Sequence, residues 1–129
     1  MPYALKITTD LTPDEAEAQV RQALMDEGFG IITEIDMAAT LKAKIDKDMP
    51  PYKILGACRP PLAASAVDTE PDIGLLLPCN VVVYEHDGRT VVAALDPHAM
   101  LSLAEVSGID EVADDAKGRL ERALATFSR

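Results

Sequence analysis

Residues 79–95 read CNVVVYEHDGRTVVAAL, two β-rich runs on either side of Asp87-Gly88. Asp-Gly between such runs signals a hairpin with a two-residue turn, because that turn needs positive φ at both central positions. Fixing the turn fixes the register. His86 then faces Arg89, Val83 faces Val92, Val81 faces Ala94, and Cys79 faces Asp96. Val81, Val83 and Val92 fall on one face, and Val82, Tyr84 and Val91 on the other. Both faces are apolar, so both need cover. Helices are expected on one, and a partner on the second.

Upstream, Tyr3, Leu5 and Ile7 alternate with Ala4, Lys6 and Thr8, the period of a strand with one buried face. Thr12-Pro13-Asp14-Glu15 then opens a helix, with Thr12 as N-cap, Pro13 in the first turn and Glu15 closing a capping box. Ala16, Val20, Ala23 and Leu24 form its apolar stripe, Glu17 and Arg21 pair on its wet side, and Gly28 suits a left-handed stop. Gly30 to Asp36 reads as a second strand with Ile31 and Ile35 on one face, and Met37 to Ile45 as a short helix. The tandem prolines Pro50-Pro51 force a loop. Tyr52 to Cys58 is a third strand, and Pro60-Pro61 opens a helix with Leu62, Ala63, Ala66 and Val67 on one face. Glu70 to Gly74 is a turn, and Leu75 to Leu77 reads as a short buried run.

Downstream of the hairpin, Asp96-Pro97 reads as the end of the strand and a turn. From Ile109 the residues Val112, Ala113, Ala116, Leu120, Ala123, Leu124 and Phe127 keep a helical stripe, with acids in the first turns and bases in the later ones. Short crossovers and a terminal hairpin argue against a doubly wound sheet. The pattern predicts an α+β fold, an antiparallel β-sheet gripped by two main helices on one face.

The chain has 129 residues, the size of a single domain, and no linker or repeat divides 1–129. Twenty-two acidic against twelve basic residues give a net charge of −10, which repels phosphate backbones and anionic lipids, so neither nucleic acid nor membrane is an expected partner. Met1 to Asp10 has neither the basic start nor the apolar stretch of a signal peptide, so a cytoplasmic location with reduced thiols is expected.

The chemistry-bearing residues gather near Cys58 and Cys79, the two cysteines of the chain. Cys58 stands where a strand meets a helix start, a place where backbone donors, the dipole and the adjacent Arg59 would favour a thiolate. Free cysteine is equally at home as a small buried residue. Cys79 opposite Asp96, with His98 close by, could share a metal or a proton, but no C-x-x-C spacing announces zinc, and no metal ligands are assigned. GxGxxG, Walker, GxSxG and HExxH patterns are absent.

The stretches Tyr52 to Cys58, with Gly56-Ala57-Cys58, and Gly74 to Glu85, with Leu76-Leu77-Pro78-Cys79-Asn80-Val81, resemble the bacterial and archaeal domain of unknown function 302 family, and Asp96-Pro97 with Met100 resembles its later segment. The resemblance implies a β-α-β4-α sheet of the TATA-binding-protein-like type and a homodimer. It supplies no activity and no cofactor, and the asparagine frequent in the family is Arg59 here. The expected function is a dimeric small-ligand binding or sensing module with Cys58, Cys79, Asn80, Asp96 and His98 at the site. The alternatives are a thiol redox or metal-dependent enzyme using Cys58 and Cys79, and an architectural dimerisation module.

Overall fold

The structure, a computed structural model, describes residues 3–104 and 110–128. Strand β1 (Ala4–Thr9) leads into helix α1 (Pro13–Asp26), followed by β2 (Gly30–Asp36), α2 (Met37–Ile45), β3 (Tyr52–Cys58) and α3 (Pro60–Thr69). A 3₁₀ turn (Pro71–Leu76) precedes β4 (Cys79–His86), β5 (Arg89–Leu95), α4 (Pro97–Ala104) and α5 (Asp110–Ala125). The strands form one antiparallel sheet in the order β1-β5-β4-β3-β2. The hairpin has the register read from its turn, Val81 with Ala94, Val83 with Val92 and His86 with Arg89. Asp87 and Gly88 sit at φ of 53° and 77°, as a two-residue turn of this twist requires.

α1 starts where its capping box sets it. Thr12 Oγ1 accepts from the Glu15 amide at 3.2 Å, and the Glu15 carboxylate accepts from the Thr12 amide at 2.9 Å. It ends as Gly28 turns left-handed at φ 88°. Its stripe Ala16, Val20, Ala23 and Leu24 joins Leu120, Ala123 and Leu124 of α5 over Leu55, Ala57, Val81, Val83, Val92 and Ala94 of the sheet. Each buried Val or Leu stabilises the fold by about 1.5–3 kcal/mol, so this layer holds the two helices to the strands. At its edge Arg21 and Lys53 each pair with both Glu17 and Glu34, at 2.8 to 3.1 Å. These pairs are partly exposed and set alignment more than stability.

The opposite face of the sheet is open. Tyr52 and Tyr84, partners across β3 and β4, stack there with ring centroids 5.2 Å apart. Ile54 and Val82 lie beside them, also paired across the two strands. A shallow groove of ≈250 Å³ crosses this face past Tyr3, Asn80, Val82 and Ala93.

Four sequence expectations need correction. A bulge between Ile31 and Thr33 turns the rest of β2 over, so Ile31 packs on the main core while Ile35 is 44% exposed on the other face. Leu75 is 86% exposed, because the 3₁₀ turn presents it outward while Ile73 takes the buried position. Val67 leaves the buried face of α3 and is 41% exposed; Leu62 and Ala66 carry that face. Asp96-Pro97 begins a helix instead of ending in a turn. The Asp96 carboxylate accepts from the His98 amide at 2.9 Å, and its carbonyl accepts from the Met100 amide at 3.1 Å. This extra helix, α4, supplies Met100 and Leu101 to a second core with Ala66, Ile73, Cys79 and Ala113. Ile109, the first residue of the expected stripe on the last helix, lies outside the described residues.

Candidate functional site

β3 and β4 bring the two cysteine segments together. Gly56 pairs with Asn80 and Ala57 with Cys79, so Cys58 and Cys79 are diagonal neighbours at one end of the sheet. The approach is close. A Cβ on Gly56 would collide with Thr33 Oγ1 and lie 2.7 Å from Pro78 Cγ, so only glycine fits between β2 and the segment entering β4. The Leu77–Pro78 bond that begins that segment is cis.

An open-mouthed cavity of ≈270 Å³ lies at this end. It is walled by Phe29 and Ile32 from β2 and its approach, Ala57 and Cys58 from β3, Leu62 and Ala63 from α3, and Leu77, Pro78 and Cys79 leading into β4. Among the described residues Arg59 stands with them as the one charged lining residue. Both thiols are free. Cys58 is half-buried, whereas Cys79 is 4% exposed. Burial, with a smaller contribution from neighbouring Cys58, pushes the Cys79 thiol up to about 11. Cys79 is therefore protonated at neutral pH and a poor nucleophile.

The backbone donors expected for Cys58 are missing. Pro60 and Pro61 have no N–H, and the amides of Leu62 and Ala63 both donate to the Arg59 carbonyl at 3.0 Å. The same proline pair that made the helix start legible strips it of donors.

The remaining sequence candidates lie elsewhere. Asn80 is exposed on the open face, lining the groove of ≈250 Å³ and a neighbouring one of ≈450 Å³ beside Leu75, Leu77 and Leu103. The hairpin ladder stops at Val81 with Ala94, so the expected pairing of Cys79 with Asp96 is not made. Asp96 instead donates its amide to the Tyr3 carbonyl at 2.8 Å, caps α4, and approaches Lys117 at 3.4 Å. His98 bonds Asp114 on α5 at 2.6 Å. Among the described residues no three His, Cys, Asp or Glu side chains converge as a metal site. The structure thus brings Cys58 and Cys79 together and leaves Asn80, Asp96 and His98 apart from their cavity. Phe29, Ile32, Leu62, Ala63 and Leu77 complete the wall. Nothing in their local patterns marks them as lining residues, since apolar positions near strand ends read equally well as core.

A cleft of ≈300 Å³ at the Tyr52 end is lined by Asp14, Glu17, Asp36 and Lys53. Its lysine is already engaged by Glu17 and Glu34.

The family model for domain of unknown function DUF302 matches residues 5–127. The chain belongs to the DUF302 family. The DUF302 fold recurs in the crystal structure of an uncharacterized conserved DUF302 protein from Bacillus stearothermophilus. That structure is 24% identical and superposes with a TM-score of 0.90, over 98% of this chain and 99% of that one. At this identity the likeness establishes the fold of the DUF302 chain and leaves its chemistry to its own residues. No curated protein matches it.

Proposed function

We propose that this chain is a single folding unit serving as a small-ligand binding or sensing module, dimeric through the open face of its sheet, whose ligand occupies the cavity beside Cys58 and Cys79. The observation that carries the proposal is the cavity itself. Ligand sites are typically concave, mostly apolar and provided with a few placed polar groups, and here ≈270 Å³ is left unfilled where both cysteines and one arginine meet. Catalysis by a thiolate pair has weaker support, because Cys79 holds its proton to about 11. Two free thiols suit a reducing compartment such as the cytoplasm.

An architectural role is favoured by one feature, the wedge of Gly56 between Thr33 and Pro78. The two readings differ in whether the cavity ever holds anything. Ala63→Phe, which projects a ring from α3 into the cavity, separates them. In a thermal-shift panel of small apolar compounds, some raise the Tm of the wild type and slow alkylation of Cys58, and Ala63→Phe loses both effects. A wild type that responds to no compound leaves the architectural reading standing and ends the other.

A further inference from the structure

We infer that the cavity takes an amphipathic anion, an apolar body bearing a carboxylate that meets the guanidinium of Arg59 at the mouth; the inference rests on the cavity being a ligand site. The lining offers carbon, sulfur and one positive charge, so an apolar body with a single complementary group fits it. Arg59 and the two arginines of α5 that share its acidic neighbours or flank Gly28 are unequally engaged. Arg119 donates from Nε to Asp115 Oδ2 at 2.9 Å and from a terminal nitrogen to the Glu27 carbonyl at 2.8 Å. Arg122 donates to the Glu27 carboxylate at 3.0 Å.

Among the described residues Arg59 pairs with Asp115 Oδ2 alone, at 3.5 Å, the oxygen that Arg119 already holds. Glu111 lines the adjoining groove and forms no ion pair with Arg59 among the described residues. Yet Arg59 is not waving in solvent. Its side chain is 23% exposed and packs against the bare backbone of Gly28, where a Cβ would come within 3.5 Å of Nε. A guanidinium fixed by packing and held at 3.5 Å by a single acid among the described residues is weakly satisfied there, and its planar fork matches the two oxygens of a carboxylate. Three of the chain's arginines thus gather against Asp115 and Glu27 at one end of a protein whose net charge is −10. Against Glu27, Asp115 and Glu111 these three positive charges are balanced, so an anion at Arg59 meets less repulsion than the net charge of the molecule would impose.

The test is calorimetric titration of the full chain at pH 7 with butanoate, hexanoate and octanoate and with the matching neutral amides. Wild type binds at least one acid about tenfold or more tightly than its amide, the scale of a charge-assisted hydrogen bond. Arg59→Gln erases that preference while amide affinity stays within about twofold, Arg59→Lys keeps part of it, and Ala63→Phe loses both ligands. Equal acid and amide binding by wild type, or an acid preference that survives in Arg59→Gln, overturns the anion assignment and leaves the cavity intact as a site. Binding of neutral apolar compounds without any acid does the same. Failure of every acid, amide and neutral compound overturns the cavity reading as well.

Discussion

Cys58 and Cys79 line one cavity but meet solvent differently, and that difference is measurable. With Cys79 raised from an ordinary 9.0 to about 11 when folded, both folded and unfolded chains hold the proton below pH 9, and the site is then neutral for stability. Between pH 9 and 11 the unfolded chain releases its proton first. Stability should therefore fall as pH rises through this window, by about 2 to 3 kcal/mol. Urea unfolding of wild type and Cys79→Ala at pH 8 and pH 11 checks the sign: the wild type loses more than the variant over that interval. Equal losses would show that the thiol is as solvated as a free one. The positions of the two cysteines were legible from strand and helix boundaries alone. Their environments were not, because burial of Cys79 depends on Met100, Leu101 and Ala113, brought in by helices well beyond it in the chain.

At the scale of elements, β3 is held by what Gly56 leaves out. Gly56→Ala should destabilise the protein by about 1–3 kcal/mol or more through overpacking, read from the shift in urea midpoint. Adding Thr33→Ala removes one of the two clashes, so the double variant should recover part of that loss and the two substitutions should be non-additive. Full additivity would mean that β2 moves away freely. Most elements could be read from the chain because their signals are local: Thr12 with Glu15, Gly28, Asp87-Gly88 and the alternating valines each act within a few residues. The bulge at Ile31 to Thr33 could not, since a two-residue period continues smoothly through Ile31 and Ile35 and only pairing with β3 inserts the extra residue. α4 was hidden for a related reason. Asp-Pro serves equally to end a strand and to cap a helix, and the choice is made by Asp96 meeting Tyr3 and Lys117 from distant parts of the chain.

Across the whole molecule the unequal cover of the sheet carries the dimer proposal. Val82 sits mid-strand on the open face beside the stacked tyrosines, so Val82→Glu should leave the monomer folded while placing a charge at the centre of the joined surface. Sedimentation equilibrium should give a dimer for wild type and a monomer for the variant, with unchanged far-ultraviolet dichroism. A wild-type monomer at all accessible concentrations would remove the dimer. The strand order has a further outcome in time. β1 leaves the ribosome before the other four strands of its sheet, yet its partner is β5, with Ala4 opposite Leu95 and Thr9 opposite Thr90. β1 must wait, unpaired, while the 80 residues between Thr9 and Thr90 are made. Its closure onto β5 then spans a long loop, a kind of contact that slows folding and leaves a sticky edge exposed during synthesis.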